Sequence, residues 1–221
     1  MANFNCIKCN SSFSIPSEVL AKYPNWTPKY CKNCNPKKKN NENTQNVAKS
    51  NAYDTKGDFF KEEDLTLEEV LKKFKNGPKT GIFTDGSARP NPGSGGWGVV
   101  FVKDGKIIEQ KYGNEKETTN NRMELTALLN AFKMAPKNEE ILVYTDSELC
   151  VNTFNKWIFS WEKNGWKKKT GEIKNLDLVK KVYEAIKEKP NAKLTWIESH
   201  SGFLWNEYAD SLATAWARKT L

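Results

Sequence analysis

Residues Gly81-Ile-Phe-Thr-Asp-Gly86 open the stretch that decides the fold: an apolar strand that runs straight into a carboxylate and a glycine. The pattern returns in Ile141-Leu-Val-Tyr-Thr-Asp146. Short apolar runs bounded by turn residues read as buried strands, here residues 81–84 and 140–145. Between them, Gly93 to Gly98 reads as a glycine-rich turn, and residues 97–103 as a strand. Asp104-Gly105 reads as a hairpin turn, with residues 106–112 returning. Residues 121–134 carry Leu125, Leu128, Leu129 and Phe132 on one helical stripe. Residues 147–157 and 176–187 read as helices, 158–174 as a Trp- and Lys-rich excursion, 193–197 as a strand, and 205–218 as a closing helix. The order β-β-β-α-β-α-α-β-α predicts an α/β fold over residues 79–221, a five-stranded mixed sheet flanked by helices.

Four acids sit where a packing pattern would place apolar side chains. Asp85 and Asp146 end strands, Glu124 lies between Met123 and Leu125 on an apolar helix, and Asp210 follows Ala209 in the closing helix. A buried carboxylate is costly unless it is paired or coordinated. Four of them at strand ends and on helices over the sheet could converge at one edge. Such a set suits hard divalent cations, which prefer oxygen donors. Two ions roughly 3.5–4 Å apart can serve both the attacking and the leaving oxygen of an in-line phosphoryl displacement. Taken singly, each acid also has an ordinary reading: Asp85-Gly86 is a common turn, and Glu124 a first-turn acid favoured by the helix dipole.

The segments Thr84-Asp-Gly-Ser-Ala-Arg-Pro-Asn-Pro-Gly93, Thr118-Thr-Asn-Asn-Arg-Met-Glu-Leu125, Tyr144-Thr-Asp-Ser147, His200-Ser-Gly202 and Asn206-Glu-Tyr-Ala-Asp210 occur in this order. Together they resemble the motifs of type 1 ribonuclease H. The resemblance implies the ribonuclease H-like fold and an endonuclease that hydrolyses the RNA strand of RNA–DNA hybrids, leaving 5′-phosphate and 3′-hydroxyl ends. It implies two Mg²⁺, with Mn²⁺ as a substitute, on Asp85, Glu124, Asp146 and Asp210, and an auxiliary role for His200. It places Asn91 and Asn120 against the RNA strand and Thr119 in a pocket for a DNA phosphate. It also implies a basic protrusion, carrying Trp157, Trp161, Lys167 and Lys168, that grips the DNA strand. The residues alone leave alternatives open: Asn91-Pro92-Gly93 as a turn, Asn120-Asn121 as a helix cap, Trp157 and Trp161 as core. Two positions depart from the family pattern: Glu148 stands where Gln is usual, and Glu198-Ser199 where a basic residue and Gly are common.

The first third of the chain has another texture. Cys6-Ile-Lys-Cys9 and Cys31-Lys-Asn-Cys34 form two knuckles at a spacing that suits a tetrahedral structural Zn²⁺. Residues 1–35 therefore read as a four-cysteine, zinc-ribbon-like module, with disulfides as the alternative reading, disfavoured in an intracellular chain. Cys150, between Leu149 and Val151, reads as a small buried apolar side chain. Residues 36–78, rich in Asn and Lys, read as a flexible linker, with a short helix announced by the capping box Thr66-Leu-Glu-Glu69. The net charge of +8 fits a polyanionic partner. No apolar run approaches a membrane span, and Met1-Ala-Asn-Phe-Asn5, with no basic region followed by an apolar one, gives the expectation of no secretory signal. The expectation is a cytoplasmic monomer whose partner is an RNA–DNA hybrid, with no membrane association.

Overall fold

Side-chain alternation along one central strand separates the two cores of the larger unit, residues 58–221. In the computed structural model, which describes residues 2–6, 11–15, 17, 28, 64–218 and 221, that strand is β3, Gly81–Ala88. Ile82 and Phe83, both fully buried, point to opposite faces because successive strand residues do. Strands β4 (Gly93–Lys103) and β5 (Lys106–Thr118) continue from β3 as an antiparallel meander. Strands β6 (Ile141–Thr145) and β7 (Ala192–Trp196) add in parallel on the other side, giving the order β5-β4-β3-β6-β7. The sheet is thus mixed and five-stranded, as the sequence predicts.

One face packs Ile82, Val99, Phe101 and Val143 against helix α2 (Asn120–Met134) and helix α5 (Leu176–Lys187). The other packs Phe83, Val100 and Val102 against helix α6 (Leu204–Thr214), through Trp205, Tyr208, Ala209 and Leu212. Burying each such large side chain stabilises the fold by about 1.5–3 kcal/mol. Arg122 of α2 makes two 3.1 Å hydrogen bonds to Asp177 of α5, tying the helices together at their amino ends.

The structure departs from, or adds to, the expectations at several points. Residues Gly93 to Gly98 are not a turn; they begin β4. Their glycines are there because α6 lies directly on the strand: a Cβ on Gly96 would sit 2.4 Å from the Ala213 carbonyl oxygen, and one on Gly98 2.4 Å from that of Ala209. Glycine in a strand marks such a close approach. The second concerns the short helix of the expected linker, α1 (Leu67–Lys73). Its capping box forms, Thr66 N donating to Glu69 Oε2 at 2.8 Å. Its Val70 is buried with the α6 residues, and Ser211 Oγ donates to the Leu65 carbonyl at 2.6 Å. Residues 64–77 therefore belong to the same compact unit as the sheet.

The expected helix over 147–157 is shorter, α3 (Glu148–Asn152), and passes through a π-helical turn, Thr153–Trp157, into α4 (Ile158–Lys163). In the separate amino-terminal unit, β1 (Ala2–Asn5) pairs antiparallel with β2 (Ser12–Ile15). Cys6 follows β1 and is buried. Cys9, Cys31 and Cys34, and with them the expected zinc site, lie outside the described residues. Among the described residues no helix is long and apolar enough to cross a membrane.

Candidate active site

Parallel pairing sets the first two carboxylates side by side. Thr84 of β3 and Thr145 of β6 are register partners, and Asp85 and Asp146 are the next residue on each chain. Neighbouring strands lie about 4.8 Å apart, so the two acids sit side by side. Asp146 stands just past the end of β6 and Asp85 within β3, which does not end there as the sequence predicts but runs on to Ala88. Thr84 Oγ1 donates to the Tyr144 carbonyl at 2.9 Å and helps fix that register. Glu124 comes from the second turn of α2, whose first turn carries no acid, so it is not the first-turn acid that the sequence also allowed. Thr119 caps this helix, its Oγ1 accepting from Arg122 N at 3.3 Å. Gly86 lets α2 settle on β3, since a Cβ there would lie 2.1 Å from Glu124 N. As a result, carboxylate oxygens of Asp85, Glu124 and Asp146 lie within 4.8 Å of one another. Asp210 stands outside that triad but touches it, sharing a side-chain hydrogen bond with Asp85.

Crowding and burial act on these acids in one direction. Burial, then the charges of Asp210, Glu124 and Asp146, pushes the Asp85 carboxyl well above the usual range. Burial, then Asp146 and Asp210, does the same to Glu124. Asp146 is raised by burial, against a hydrogen bond from Asn206 and the nearby His200. Asp210 is pushed up by burial to about 6, with His200 opposing. The site thus holds more negative charge than its surroundings stabilise.

A divalent cation fits this donor set. The ligands are all hard oxygens, and among the described residues Glu124 Oε2 is buried without a hydrogen-bond partner. A buried acceptor left unpaired costs about 1–3 kcal/mol, which coordination would relieve. The nearby Cys150 thiol offers no competing thiolate, because burial pushes it up to about 12.

Asp85, Asp146 and Asp210 line a cavity of about 300 Å³ together with Asn120, His200 and Asn206. His200 is exposed on the loop before α6 and has a left-handed backbone, φ 48°. Asn120 Oδ1 accepts from Ala88 N at 2.6 Å, and Asn91 Oδ1 accepts from Asn120 N at 3.2 Å. Asn91, Thr119 and Asn120 thus form one linked rim beside the carboxylates, and the α2 cap is Thr119 rather than Asn120. On the protrusion, Trp157 is exposed and its ring lies 6.0 Å from that of Trp161, which packs on the core. Lys167 and Lys168 are exposed. Trp157, Trp161 and Lys168 border a second cavity of about 170 Å³. Glu148 and Glu198 are both exposed.

Sequence reasoning missed three contributors. Asn206 is 3% exposed and hydrogen-bonds Asp146; its place one helical turn before Asp210 was the available signal. Arg89 lines the carboxylate cavity and pairs with Asp64 at 3.1 Å. Gly86 looked like half of a turn and is a seat for α2.

Comparisons with known proteins agree on one family. The family model described as RNase H matches residues 78–218. A ribonuclease H of Francisella tularensis subsp. novicida (strain U112) is 40% identical over 144 residues, 65% of this chain and 93% of that protein. Among solved structures, LC9-RNase H1, described as a type 1 RNase H with the type 2 active-site motif, aligns with a TM-score of 0.51 and 29% identity. That alignment covers 64% of this chain and 74% of the other. The PFV RNase H domain aligns with a TM-score of 0.53 and 26% identity, over 62% of this chain and 92% of that domain.

Proposed function

The chain belongs to the RNase H family of enzymes, and from that premise we propose that it is an endonuclease hydrolysing the RNA strand of RNA–DNA hybrids. The observation that carries the reading is the convergence of Asp85, Glu124 and Asp146 within 4.8 Å, with Asp210 hydrogen-bonded to Asp85. These four would hold two Mg²⁺, or Mn²⁺ in its place. Bound there, the ions would supply activation of the attacking water and charge neutralisation at the departing 3′-oxygen, leaving 5′-phosphate and 3′-hydroxyl ends.

The chain's own groups do the rest. Asn206 holds the Asp146 carboxylate in place through its side-chain amide. His200, exposed in the same cavity, can take up or return a proton at its imidazole as water enters and product leaves. Asn91 and Asn120, on the cavity rim, offer amides to the 2′-hydroxyls that distinguish RNA from DNA. Thr119 receives a DNA phosphate, while Trp157 and Trp161, with Lys167 and Lys168, grip the DNA strand by packing on sugars and neutralising phosphates. Glu148, exposed two residues after Asp146, can accept but not donate a hydrogen bond, and shifts that part of the rim toward acceptors.

The proposal extends to the amino terminus. Cys6, Cys9, Cys31 and Cys34 would bind a structural Zn²⁺ in the cytoplasm, where thiols stay reduced. The module, tethered to the catalytic unit, would raise the local concentration of hybrid. Deleting residues 1–35 is expected to raise KM for a hybrid about tenfold or more while leaving kcat within about twofold. Unchanged KM would remove the tethering role.

The function itself is tested with an end-labelled RNA strand offered as a hybrid with DNA, as single-stranded RNA, and as an RNA duplex, with a labelled DNA duplex alongside. In Mg²⁺ the wild-type chain should cut the hybrid alone. Comparable cutting of the RNA duplex or of DNA would overturn the substrate assignment.

A further inference from the structure

We propose that residues 74–77 form a strap that positions the His200 loop, with Phe74 as its positioning side chain; the consequence for turnover rests on the role given to His200 above. The strap lies outside the family match, which begins at residue 78.

The loop needs an external hold. His200 itself has φ 48° and Gly202 φ 76°, two left-handed residues in three. A non-glycine residue stays in that region only where its surroundings over-determine it. Within the loop, Ser201 Oγ donates to the Glu198 carbonyl at 2.8 Å, and Gly202 N donates to Glu207 Oε1 at 3.1 Å. Both contacts are exposed or only partly buried, so water competes for them.

The remaining hold comes from the strap. Asn76 and Phe203 form a parallel β-bridge, and Leu204 N donates to the Asn76 carbonyl at 2.8 Å. Phe203 fills the space over Gly77, where a Cβ would lie 2.9 Å from its own Cβ. The Phe74 ring covers Gly202, lying 3.6 Å from where a Cβ would be. Phe74, His200, Ser201 and Gly202 border one cavity of about 530 Å³, which also reaches Asp210. The strap is itself anchored, because α1 buries Val70 among Trp205, Tyr208, Ala209 and Leu212. Phe74 thus stands between a fixed helix and the one loop that carries an imidazole to the carboxylates. Removing its ring leaves the catalytic groups intact and frees the loop.

The experiment is a double-mutant cycle in the full chain with Mg²⁺ and hybrid. Phe74→Ala should lower kcat about threefold or more and leave KM within about twofold, the scale of coupling between residues in contact. In a His200→Ala background the same change should do less than about half as much, because the loop then carries nothing to misplace. Phe74→Leu, which keeps apolar bulk, should restore turnover. An equal loss in both backgrounds, or no loss with His200 present, overturns the proposal.

Amide exchange gives a second arm that needs no catalysis. In Phe74→Ala the amides of residues 199–203 should exchange faster while those of β3 keep their protection; unchanged exchange in the loop overturns the strap. Should Phe74→Ala melt below the assay temperature, Phe74→Val takes its place in both arms. A wild-type chain that cuts no hybrid would sink the functional reading, and exchange would still decide the strap.

Discussion

Gly86→Ala should lower stability by about 3 kcal/mol, the upper range for overpacking, and reduce kcat by about a hundredfold. The reason is that nothing soft stands in the way. A Cβ at Gly86 would lie 2.1 Å from Glu124 N, 2.3 Å from the Met123 carbonyl carbon and 2.7 Å from Glu124 Cα, all of them helix backbone. Relief requires α2 to retreat by about an ångström, and a misplacement of that size is enough to cost about two orders of magnitude in rate. The retreat carries Glu124 away from Asp85 and Asp146. Gly105→Ala is the control: its φ is 75°, yet no atom lies within 4 Å of the added Cβ. It should lose about 1 kcal/mol from backbone strain and leave turnover unchanged. Denaturant midpoints and initial rates read both variants. Wild-type rate and stability in Gly86→Ala would mean that α2 is not seated as described.

Asp146→Asn should stabilise the metal-free protein at neutral pH and abolish cleavage, two opposite effects of one atom change. Asp85, Glu124, Asp146 and Asp210 all have folded-state pKa values raised above the ordinary carboxylate range, principally by burial. An acid raised in the folded state binds more protons there than in the unfolded chain. Stability therefore falls as pH rises from the unfolded carboxylate value, about 4, through the folded values. For Asp210 the folded value is about 6; Asp85 and Glu124, raised well above their usual range, add to the loss in the same direction. Removing the Asp146 charge relieves both Asp85 and Glu124, on each of which it acts. Thermal melts of the metal-free proteins between pH 5 and pH 8, about the span over which these groups ionise, should show the wild type losing more stability than the variant. Mg²⁺ should then raise the wild-type midpoint and move the variant's less. A steeper pH loss in Asp146→Asn would reverse the electrostatic account.

The sheet and its acids were legible because their signals are local. An apolar run ending in Asp is visible in six residues, and repeating it gave both Asp85 and Asp146 before any pairing was known. Glu124 and Asp210 stood out as acids interrupting helical stripes. What escaped was tertiary. Gly93 to Gly98 has no side-chain alternation to display, so its strand identity depends on α6 lying over Gly96 and Gly98. The far end of β5 is polar on an open edge and carries no period that separates strand from loop. The α1 helix announced itself by its capping box, but its docking depends on a site for Val70 built by the closing helix. Asn206 lay inside a recognised motif, yet its hydrogen bond to Asp146 exists only once α6 meets the end of β6. The expected zinc ligands other than Cys6 fall outside the described residues, so that proposal rests on spacing alone.

The most direct test of the carboxylate site compares wild type and Asp146→Asn on one labelled hybrid in Mg²⁺, measuring binding and cleavage in the same samples. Wild type should cut the RNA strand. The variant should bind the hybrid about as tightly and cut at least about a thousandfold more slowly, the effect of several kcal/mol of lost transition-state stabilisation. Cleavage by Asp146→Asn at the wild-type rate would contradict the assignment of Asp85, Glu124, Asp146 and Asp210 as the reacting centre.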